Sequence, residues 1–306
     1  MIEPRLTGAD PMATFHGLSA EFHRAYYAWH TSGQYQGVGE FVDADHAYRA
    51  PPKRERDDWY SEELRIVDTW YRPLAASRVL EIGCGDGNLT WKLARRCRSV
   101  RALDMDPAAV ALTALRLRDL QLENVELACG DASRGPGSAA HAFDVVFFVQ
   151  VLEHVPGWQQ GELFDQVFRL VAPGGCLFIS TPNRWCVRDT HDTNRLFIHW
   201  GPRWLRVPIA RALGWGIPGH DPAWPYPPVL HDYVSFRWML RRARRHWPTV
   251  TASAMSFYPT VDEWLRARGH RDGEGGRQSL RRVLRLAGRA LPLNYYFGDK
   301  VVFHKA

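Results

Sequence analysis

The stretch from Val79 to Thr90, V-L-E-I-G-C-G-D-G-N-L-T, constrains the fold of this chain more than any other. It opens with a short apolar run, as a buried parallel strand would. Three glycines follow, and then Leu89 and Leu93 share one face of a helical segment. The order strand, glycine turn, helix is typical of the ligand-binding entry of a doubly wound α/β fold.

The spacing of these glycines favours a nucleoside-type ligand over a dinucleotide. Dinucleotide folds use G-x-G-x-x-G and place the pyrophosphate at a helix N-terminus, whereas Gly83, Gly85 and Gly87 run G-x-G-x-G. Glycines let a ligand lie against the backbone, and the preceding Glu81 can meet a cation. S-adenosylmethionine (SAM), which carries an ammonium and a sulfonium but no phosphate, has this chemistry. The alternative is a glycine turn that binds nothing.

The segments that follow predict further strands and helices at the expected distances. Val100–Asp104 is a second short strand, and Asp104 lies 21 positions after Gly83, close to the ~20 at which doubly wound folds place a ribose-binding carboxylate. Asp106 and Pro107 are typical of a helix start. Further strands are predicted at Val125–Cys129, Phe143–Val149, Cys176–Ser180, Val250–Ala254 and Lys300–His304, and further helices at Gly161–Val171, Val207–Trp215, Phe236–His246 and Leu280–Leu291.

Five motifs occur in order along about residues 75 to 183: V-L-E-I-G-C-G-D-G, L-D-M-D-P, G-D-A, F-D-V-V-x-x-x-x-V-L-E-H-V and A-P-G-G-x-x-x-I-S-T-P-N. Together they resemble the class I SAM-dependent methyltransferase family. They are most similar to the branch that includes ubiquinone-biosynthesis O-methyltransferases and many sugar and natural-product methyltransferases. The resemblance implies that Asp104 holds the ribose hydroxyls and that Asp131 faces the adenine amine. The implied cofactor contacts are Glu81, Gly83, Cys84, Gly85, Gly87, Asp104, Met105, Asp131, Ala132 and Gln150.

The resemblance implies an α/β, doubly wound (Rossmann-like) fold with a seven-stranded sheet whose last strand is antiparallel. Residues 1–74 are interpreted as an N-terminal helical extension, and residues 75–306 as the SAM-binding domain. Within the extension, the aromatic residues of Phe15–His30 recur at helical spacing. This helix either roofs the cofactor pocket or only packs against the sheet.

Residues 183–232 interrupt the pattern of the core with a segment rich in Trp, Arg, Pro and His. Ligands of open α/β sheets bind outside the C-terminal ends of the strands, and this segment begins where strand five ends. It is therefore predicted to be a lid over the methyl acceptor, the alternative being an irregular surface elaboration. The predicted acceptor contacts are Asn183, Arg184, Asp192 and His199.

Methyl transfer from a sulfonium requires alignment of the reacting groups, and a hydroxyl acceptor must also lose its proton. His154 and His191 are the candidate bases because they follow the predicted ends of strands four and five, with Asp192 as a group that could orient one of them. Each histidine could instead cap a helix or fill the wall of the site. Some small-RNA 2′-O-methyltransferases are similar here but carry E-x-x-E-H and bind a divalent ion. Gln150 replaces the first acid, and a hard cation prefers a charged oxygen, so no metal is predicted.

The chain carries a formal net charge of +6 at pH 7, which can recruit an anionic substrate, a membrane surface or nucleic acid. The interleaved Trp and Arg residues between Trp200 and Trp215 resemble an interfacial, membrane-touching segment; solvated helix faces are the alternative. The sequence has no run of 18 apolar residues. Five cysteines without metal-ligand spacing are typical of reduced thiols, so a cytoplasmic location, with or without peripheral membrane contact, is predicted.

Methyl transfer to a hydroxyl of a small, sugar-bearing or lipid-linked acceptor is the function that these features favour. S- or N-methylation of a small metabolite remains open. RNA 2′-O-methylation is suggested by the charge, but no recognisable RNA-binding module accompanies it. A SAM-binding regulator without turnover is a further alternative, because a fold does not prove an activity.

Overall fold

The computed structural model describes residues 15, 17–31, 60–134, 140–189, 191–215, 230–253 and 300–305. The chain separates into two compact units, which are described in turn. The first unit comprises residues 1–131 and 219–221, and the second comprises residues 132–218 and 222–306. The predicted helix at Leu280–Leu291 lies outside the described residues. The division at residue 74 and the lid at 183–232 stay predictions.

The first unit contains three parallel strands in the order β3-β2-β1. The loop from β1 to the next helix carries the glycines, and Asp106 begins the helix after β2 by accepting a hydrogen bond from the Ala108 N–H, as the sequence predicts. The helices and strands are α1 (Ala20–Thr31), α2 (Ser61–Ile66), β1 (Arg78–Ile82), α3 (Asn88–Ala94), β2 (Ser99–Asp104), α4 (Pro107–Asp119) and β3 (Val125–Cys129).

The N-terminal helix α1 packs on α4 through an apolar cluster. Phe22 and Tyr26 on α1 are fully buried there together with Leu112 on α4. Ser19 fixes the start of α1, because its backbone N–H donates to the carboxylate of Asp119, 2.8 Å away. The aromatic stripe of the sequence is therefore the face by which α1 packs against α4.

The second unit holds the other four strands of the seven-stranded mixed sheet, in the order β4-β5-β7-β6. Strands β4 and β5 are parallel, whereas β7 pairs antiparallel with both β5 and β6. The predicted α/β, doubly wound fold with an antiparallel last strand is thereby confirmed. The helices and strands are β4 (Phe143–Val149), α5 (Gln160–Leu170), β5 (Val171–Ser180), α6 (Arg203–Ala212), α7 (Phe236–His246), β6 (Thr251–Ser253) and β7 (Lys300–His304).

Strand β5 and helix α6 of the second unit both begin several residues earlier than predicted. Strand β5 starts at Val171 rather than Cys176, because Phe143 of β4 pairs with Val171 and the ladder resumes after a register shift. Helix α6 starts at Arg203 rather than Val207, directly after the extended Pro202. Pro208 therefore lies inside α6, where it cannot donate a backbone hydrogen bond.

The glycine turn yields a prediction about stability. Gly87 has φ +75°, and a Cβ atom added there would lie 2.9 Å from the side chain of Thr113. We expect Gly87→Ala to lower the free energy of unfolding by about 1–3 kcal/mol, because the left-handed backbone and the clash both disfavour alanine. Gly201→Ala is the control, since an added Cβ meets nothing within 4 Å. Equal denaturation midpoints for the two variants would contradict the prediction.

Candidate active site

The glycine turn after β1 has a backbone that glycine adopts readily and other residues rarely do. Gly83, Gly85 and Gly87 all have positive φ angles, of 80°, 53° and 75°. The N–H groups of Gly83 and Cys84 both donate to the carbonyl of Leu103 at the end of β2, at 2.8 and 3.2 Å. The turn is thus anchored to the neighbouring strand, and its three glycines leave their backbone without side chains of their own.

Asp104 at the end of β2 holds the turn from the other side. One carboxylate oxygen accepts a 2.8 Å hydrogen bond from the Gly85 N–H, and the other accepts a 3.0 Å bond from the Asp106 N–H. Burial raises the pKa of Asp104 despite these bonds. Trp29 of α1 lies beside the same turn, with its indole N–H 2.7 Å from Asp106 Oδ2 and its ring edge near Gly85. Besides packing on α4, α1 therefore reaches the predicted cofactor turn.

Glu81 is a buried carboxyl group with an unsatisfied oxygen. Its side chain is 3% exposed, and Oε2 has no hydrogen-bond partner among the described residues. Burial, together with the charges of Asp104 and Asp86, raises the pKa of Glu81 to about 8. A cation beside this oxygen would relieve both the missing hydrogen bond and the desolvation cost of the charge. The turn and Glu81 therefore fit the cationic end of a SAM-like ligand.

The remaining predicted cofactor residues differ in environment. Cys84 is buried, and burial raises the pKa of its thiol, so it is an inert wall group. Met105 is 42% exposed, and Asp131 is half-buried. Ala132 and Gln150 belong to the second unit. Gln150 has a left-handed backbone, φ +52°, and its N–H donates to the Ser180 carbonyl at 2.7 Å; such a conformation in a non-glycine residue is typical of functional sites.

A cluster of imidazoles and acids occupies the second unit, at the turn after β4 and in the predicted lid. His154 Nδ1 lies 2.9 Å from His231 Nε2, and His231 Nδ1 lies 2.6 Å from Asp192 Oδ1. His191 Nδ1 approaches the same Asp192 oxygen at 2.9 Å. The structure thus brings together both predicted bases and the predicted orienting acid, and it adds His231.

The hydrogen bonds of this cluster assign protons to ring nitrogens. His231 donates from Nδ1 to the ionised Asp192, so its Nε2 is the acceptor for a proton on His154 Nδ1. His191 Nδ1 also lies within hydrogen-bond distance of the ionised Asp192, so it carries a proton as well. The Nε2 atoms of His154 and His191 are then the lone-pair nitrogens that are left to accept a proton from a substrate. Geometry thus presents two bases rather than one.

The two imidazoles differ in basicity. Burial, followed by the charges of His231 and His191, lowers the pKa of His154 to about 3. Burial would also lower the pKa of His191, but its hydrogen bond to Asp192 and the nearby carboxylates, including Glu153, outweigh burial and raise the pKa. His191 is therefore the stronger base, and His154 is the imidazole that stays neutral.

A second group of hydrogen bonds is centred on Asp189, three positions before Asp192 in the sequence. Asp189 accepts hydrogen bonds from the Tyr233 hydroxyl at 2.8 Å and from the hydroxyl and N–H of Thr193 at 2.7 and 2.8 Å. The ring of His199 stacks on Tyr233 with 3.7 Å between centroids. Arg206 donates to His199 Nδ1 at 3.0 Å, which leaves the ring proton on Nε2, 3.3 Å from Asp189.

The four predicted acceptor contacts lie at different depths. His199 is fully buried and Asp192 is 6% exposed, so both lie beneath the surface of the cluster. Asn183 is buried and caps the following turn by accepting from the Trp185 N–H at 3.1 Å. Arg184 is half-buried and lines a cavity. Sequence reasoning missed His231, Tyr233 and Asp189, whose spacing along the chain carries no local signal.

Part of the cluster has the geometry of a cation site. Ligand atoms of Glu153, His154 and His191 all lie within 4.8 Å of one another. Glu153 is 1% exposed, and its Oε1 lacks a hydrogen-bond partner within the described part of the chain. Two imidazoles and one carboxylate could hold a divalent transition-metal ion. The expectation of no metal, which rests on Gln150, stays a prediction.

Comparison with known proteins matches residues 79–175 to the family described as "Methyltransferase domain". A probable S-adenosylmethionine-dependent methyltransferase of Mycolicibacterium smegmatis is 32% identical over 146 residues, which span 47% of this chain and 52% of that protein. A ubiquinone biosynthesis O-methyltransferase of Pseudomonas fluorescens is 39% identical over 132 residues, 42% of this chain and 51% of that protein. This chain thus spans about half the length of these curated relatives. A solved S-adenosylmethionine-dependent methyltransferase from Mesorhizobium loti covers 81% of this chain and 97% of its own, with 16% identity and a TM-score of 0.47.

The match to the domain family, the curated relatives and the glycine turn together define the class of protein: a doubly wound domain that binds a nucleoside-type cofactor. Residues 79–175 thus form a methyltransferase domain of the class I SAM-dependent type, and the cofactor of that domain is SAM. The predictions of family and cofactor are confirmed. The assignment of individual residues to the cofactor stays a prediction that the geometry of the turn fits.

Glu81 provides a test of that assignment. Because its pKa of about 8 lies above the usual 4.5, the folded protein binds an extra proton, and this group makes the free energy of unfolding fall as pH rises between those values. We expect Glu81→Gln to remove that loss of stability while weakening SAM binding about 10- to 100-fold, the cost of one charge-assisted interaction. Glu123→Gln, an exposed acid, is the control. Unchanged SAM affinity in calorimetry would mean that Glu81 does not face the cofactor.

Proposed function

We propose that the protein transfers a methyl group from SAM to a hydroxyl of a small-molecule acceptor. The observation that carries the proposal is the hydrogen-bonded series Asp192, His231, His154, with His191 on the same carboxylate. A hydroxyl must lose its proton when it is methylated, and an oriented imidazole is the side chain best suited to accept that proton near neutral pH. SAM supplies an activated methyl group on a sulfonium when bound.

The residues of this chain then act on the acceptor rather than on the methyl group. Asp192 fixes the tautomers of His191 and His231, and His231 fixes that of His154. Nε2 of His191 or His154 accepts the hydroxyl proton. The positive charge that forms is stabilised by the ionised Asp192, whose pKa is held low by hydrogen bonds to the two histidines, against the effect of burial. His191 is the preferred base because its raised pKa lies nearer the working pH.

Two further lines support a small hydroxyl acceptor. The relatives from Pseudomonas fluorescens and Acinetobacter baumannii are named as ubiquinone biosynthesis O-methyltransferases. A thioether or a neutral amine needs no base to attack a methyl group, so the oriented imidazoles favour oxygen over S- or N-methylation. An RNA acceptor would require RNA affinity that falls steeply with salt, and a SAM-binding regulator would show no transfer to any acceptor.

Single substitutions at the two histidines test the base. Across a screen of hydroxyl, amine and thioether acceptors, we expect transfer to a hydroxyl, and His191→Ala should lower kcat about 10²- to 10⁴-fold. SAM affinity should be unchanged. The rate of the wild-type protein should fall as pH drops through a pKa above 6.5, because the neutral imidazole is the base. His246→Ala, which removes a partly exposed imidazole next to Asp165, is the control.

The same experiment separates the competing roles. If His154 is the base, the pH profile shows no fall until far more acid conditions, since the pKa of His154 is about 3. If chelation abolishes transfer and Mn²⁺ or Zn²⁺ restores it, the imidazoles are metal ligands and the prediction of no metal is wrong. Near-full kcat in both His191→Ala and His154→Ala would exclude a protein base and favour an N or S acceptor.

We further propose that α6 contacts a membrane surface. Trp204 is 76% exposed, and Leu205, Ile209 and Leu213 beside it are also exposed, while Arg211 adds positive charge. An apolar face edged by arginines is typical of an interfacial helix. Among the described residues, no helix has the length and apolar character needed to cross a membrane.

Vesicle binding tests this surface contact. We expect Trp204→Ser to weaken cosedimentation with anionic phosphatidylglycerol vesicles roughly tenfold, the value of one large apolar side chain removed from the interface. Trp70→Ser is the matched control, because Trp70 is an exposed indole of the first unit. Equal binding by both variants and the wild-type protein would assign α6 to ordinary solvent exposure.

A further inference from the structure

A cavity of about 580 Å³ in the second unit is lined by residues of the turn after β4, the predicted lid, α6 and the start of α7. Its charged groups, among the described lining residues, are Arg184, Arg203, Arg206 and Asp232. Three guanidinium groups thus face one carboxylate, which leaves two positive charges uncompensated. The cavity and the imidazole cluster are linked by two neighbouring residues: Asp232 lines the cavity, and His231, directly before it, belongs to the cluster.

Arg206 is the most deeply buried of the three arginines. Its side chain is 6% exposed and donates to Asp232 Oδ1 at 2.7 Å and to His199 Nδ1 at 3.0 Å. Its Nε, however, is buried without a hydrogen-bond partner in the described part of the chain. A buried guanidinium with an unused donor costs stability unless a ligand satisfies it.

Arg184 and Arg203 add to this imbalance. Arg203 also donates to Asp232, and the Nε of Arg184 is buried without a partner among the residues that the structure describes. Burial lowers the pKa of Arg206, and the charges of Arg184 and Arg203 lower it further, against the attraction of Asp232. A dianion in the cavity would match the two uncompensated charges and accept from both unused donors.

We propose that this cavity binds the phosphate group of a phosphate ester, and that this ester is the methyl acceptor. A phosphate monoester carries a charge of about −1.5 to −2 and three acceptor oxygens, which suits the excess charge and the guanidinium donors. Trp158 and Trp238 also line the cavity and supply apolar surface for the esterified body. The identity of the ligand as acceptor rests on the proposed function, whereas phosphate binding does not.

Calorimetry on the full chain without SAM, at constant ionic strength, tests the cavity with inorganic phosphate, phenyl phosphate and benzoate. We expect phenyl phosphate to bind more tightly than either of the others. Arg206→Gln and Arg184→Gln should each weaken phenyl phosphate binding at least tenfold, the effect of one lost charge-assisted bond. The second variant stands in if the first, at a buried site, does not fold. Arg169→Gln, which changes an exposed arginine of α5 outside the cavity, is the matched control.

The outcomes separate the two proposals. No binding of phenyl phosphate, benzoate binding of equal strength, or equal losses in Arg169→Gln would overturn the phosphate site. Binding that depends on Arg184, with no methyl transfer to any hydroxyl, would keep the site and reject the proposed function. Vesicles of phosphatidic acid, compared with phosphatidylserine, decide the source: an Arg184-dependent preference for phosphatidic acid indicates a lipid phosphate, and its absence indicates a soluble ester.

Discussion

The imidazole cluster of the second unit depends on two buried carboxylates, Asp189 and Asp192. The segment that carries them has little regular secondary structure, so its backbone must be ordered by something other than a helix or strand. Each carboxylate accepts several hydrogen bonds from backbone N–H groups and side chains, some of them far apart in sequence: Asp192 bonds both the backbone and the ring of His231, 39 positions later. Those bonds hold the pKa of both acids low against the effect of burial. The ionised acids therefore order this segment and orient the candidate bases with the same interactions.

The glycine turn of the first unit reflects a different constraint, which is the close approach of its backbone to the predicted cofactor. Its glycine turn is defined by local chemistry: an apolar strand, glycines with positive φ, and an aspartate that accepts from the Gly85 N–H. Each of these features leaves a signal within a few residues of sequence. That is why the strands of the first unit, the capping of α4 by Asp106 and the class of cofactor could be predicted from the sequence.

The imidazole cluster could be predicted only in part. His154 and His191 follow strands β4 and β5, so their position along the chain made them candidates. His231 gave no such signal, because its partners are 39 and 77 positions away and nothing in its local sequence distinguishes it. The difference in pKa between the two candidate bases could not be predicted from the sequence either. The unperturbed pKa is the same for both histidines, and only the neighbouring groups in the folded protein make their pKa values differ. The start of α6 was also difficult to predict, because a proline such as Pro208 normally indicates a helix boundary rather than a helix interior.

His231 and Asp232 connect the two halves of the proposed acceptor site. They are adjacent in an irregular, non-helical stretch, and they serve different groups: His231 bonds the imidazole cluster, whereas Asp232 bonds the arginines of the cavity. His199 forms a second connection, because it accepts from Arg206 and faces Asp189. In the proposed acceptor site, the distance between a bound phosphate and the basic nitrogen would therefore be set by these hydrogen bonds and by the backbone that joins His231 to Asp232, rather than by flexible side chains. A framework of this kind discriminates among acceptors by the separation of phosphate and hydroxyl, since a misplaced hydroxyl loses the near-attack geometry that accounts for much of the rate.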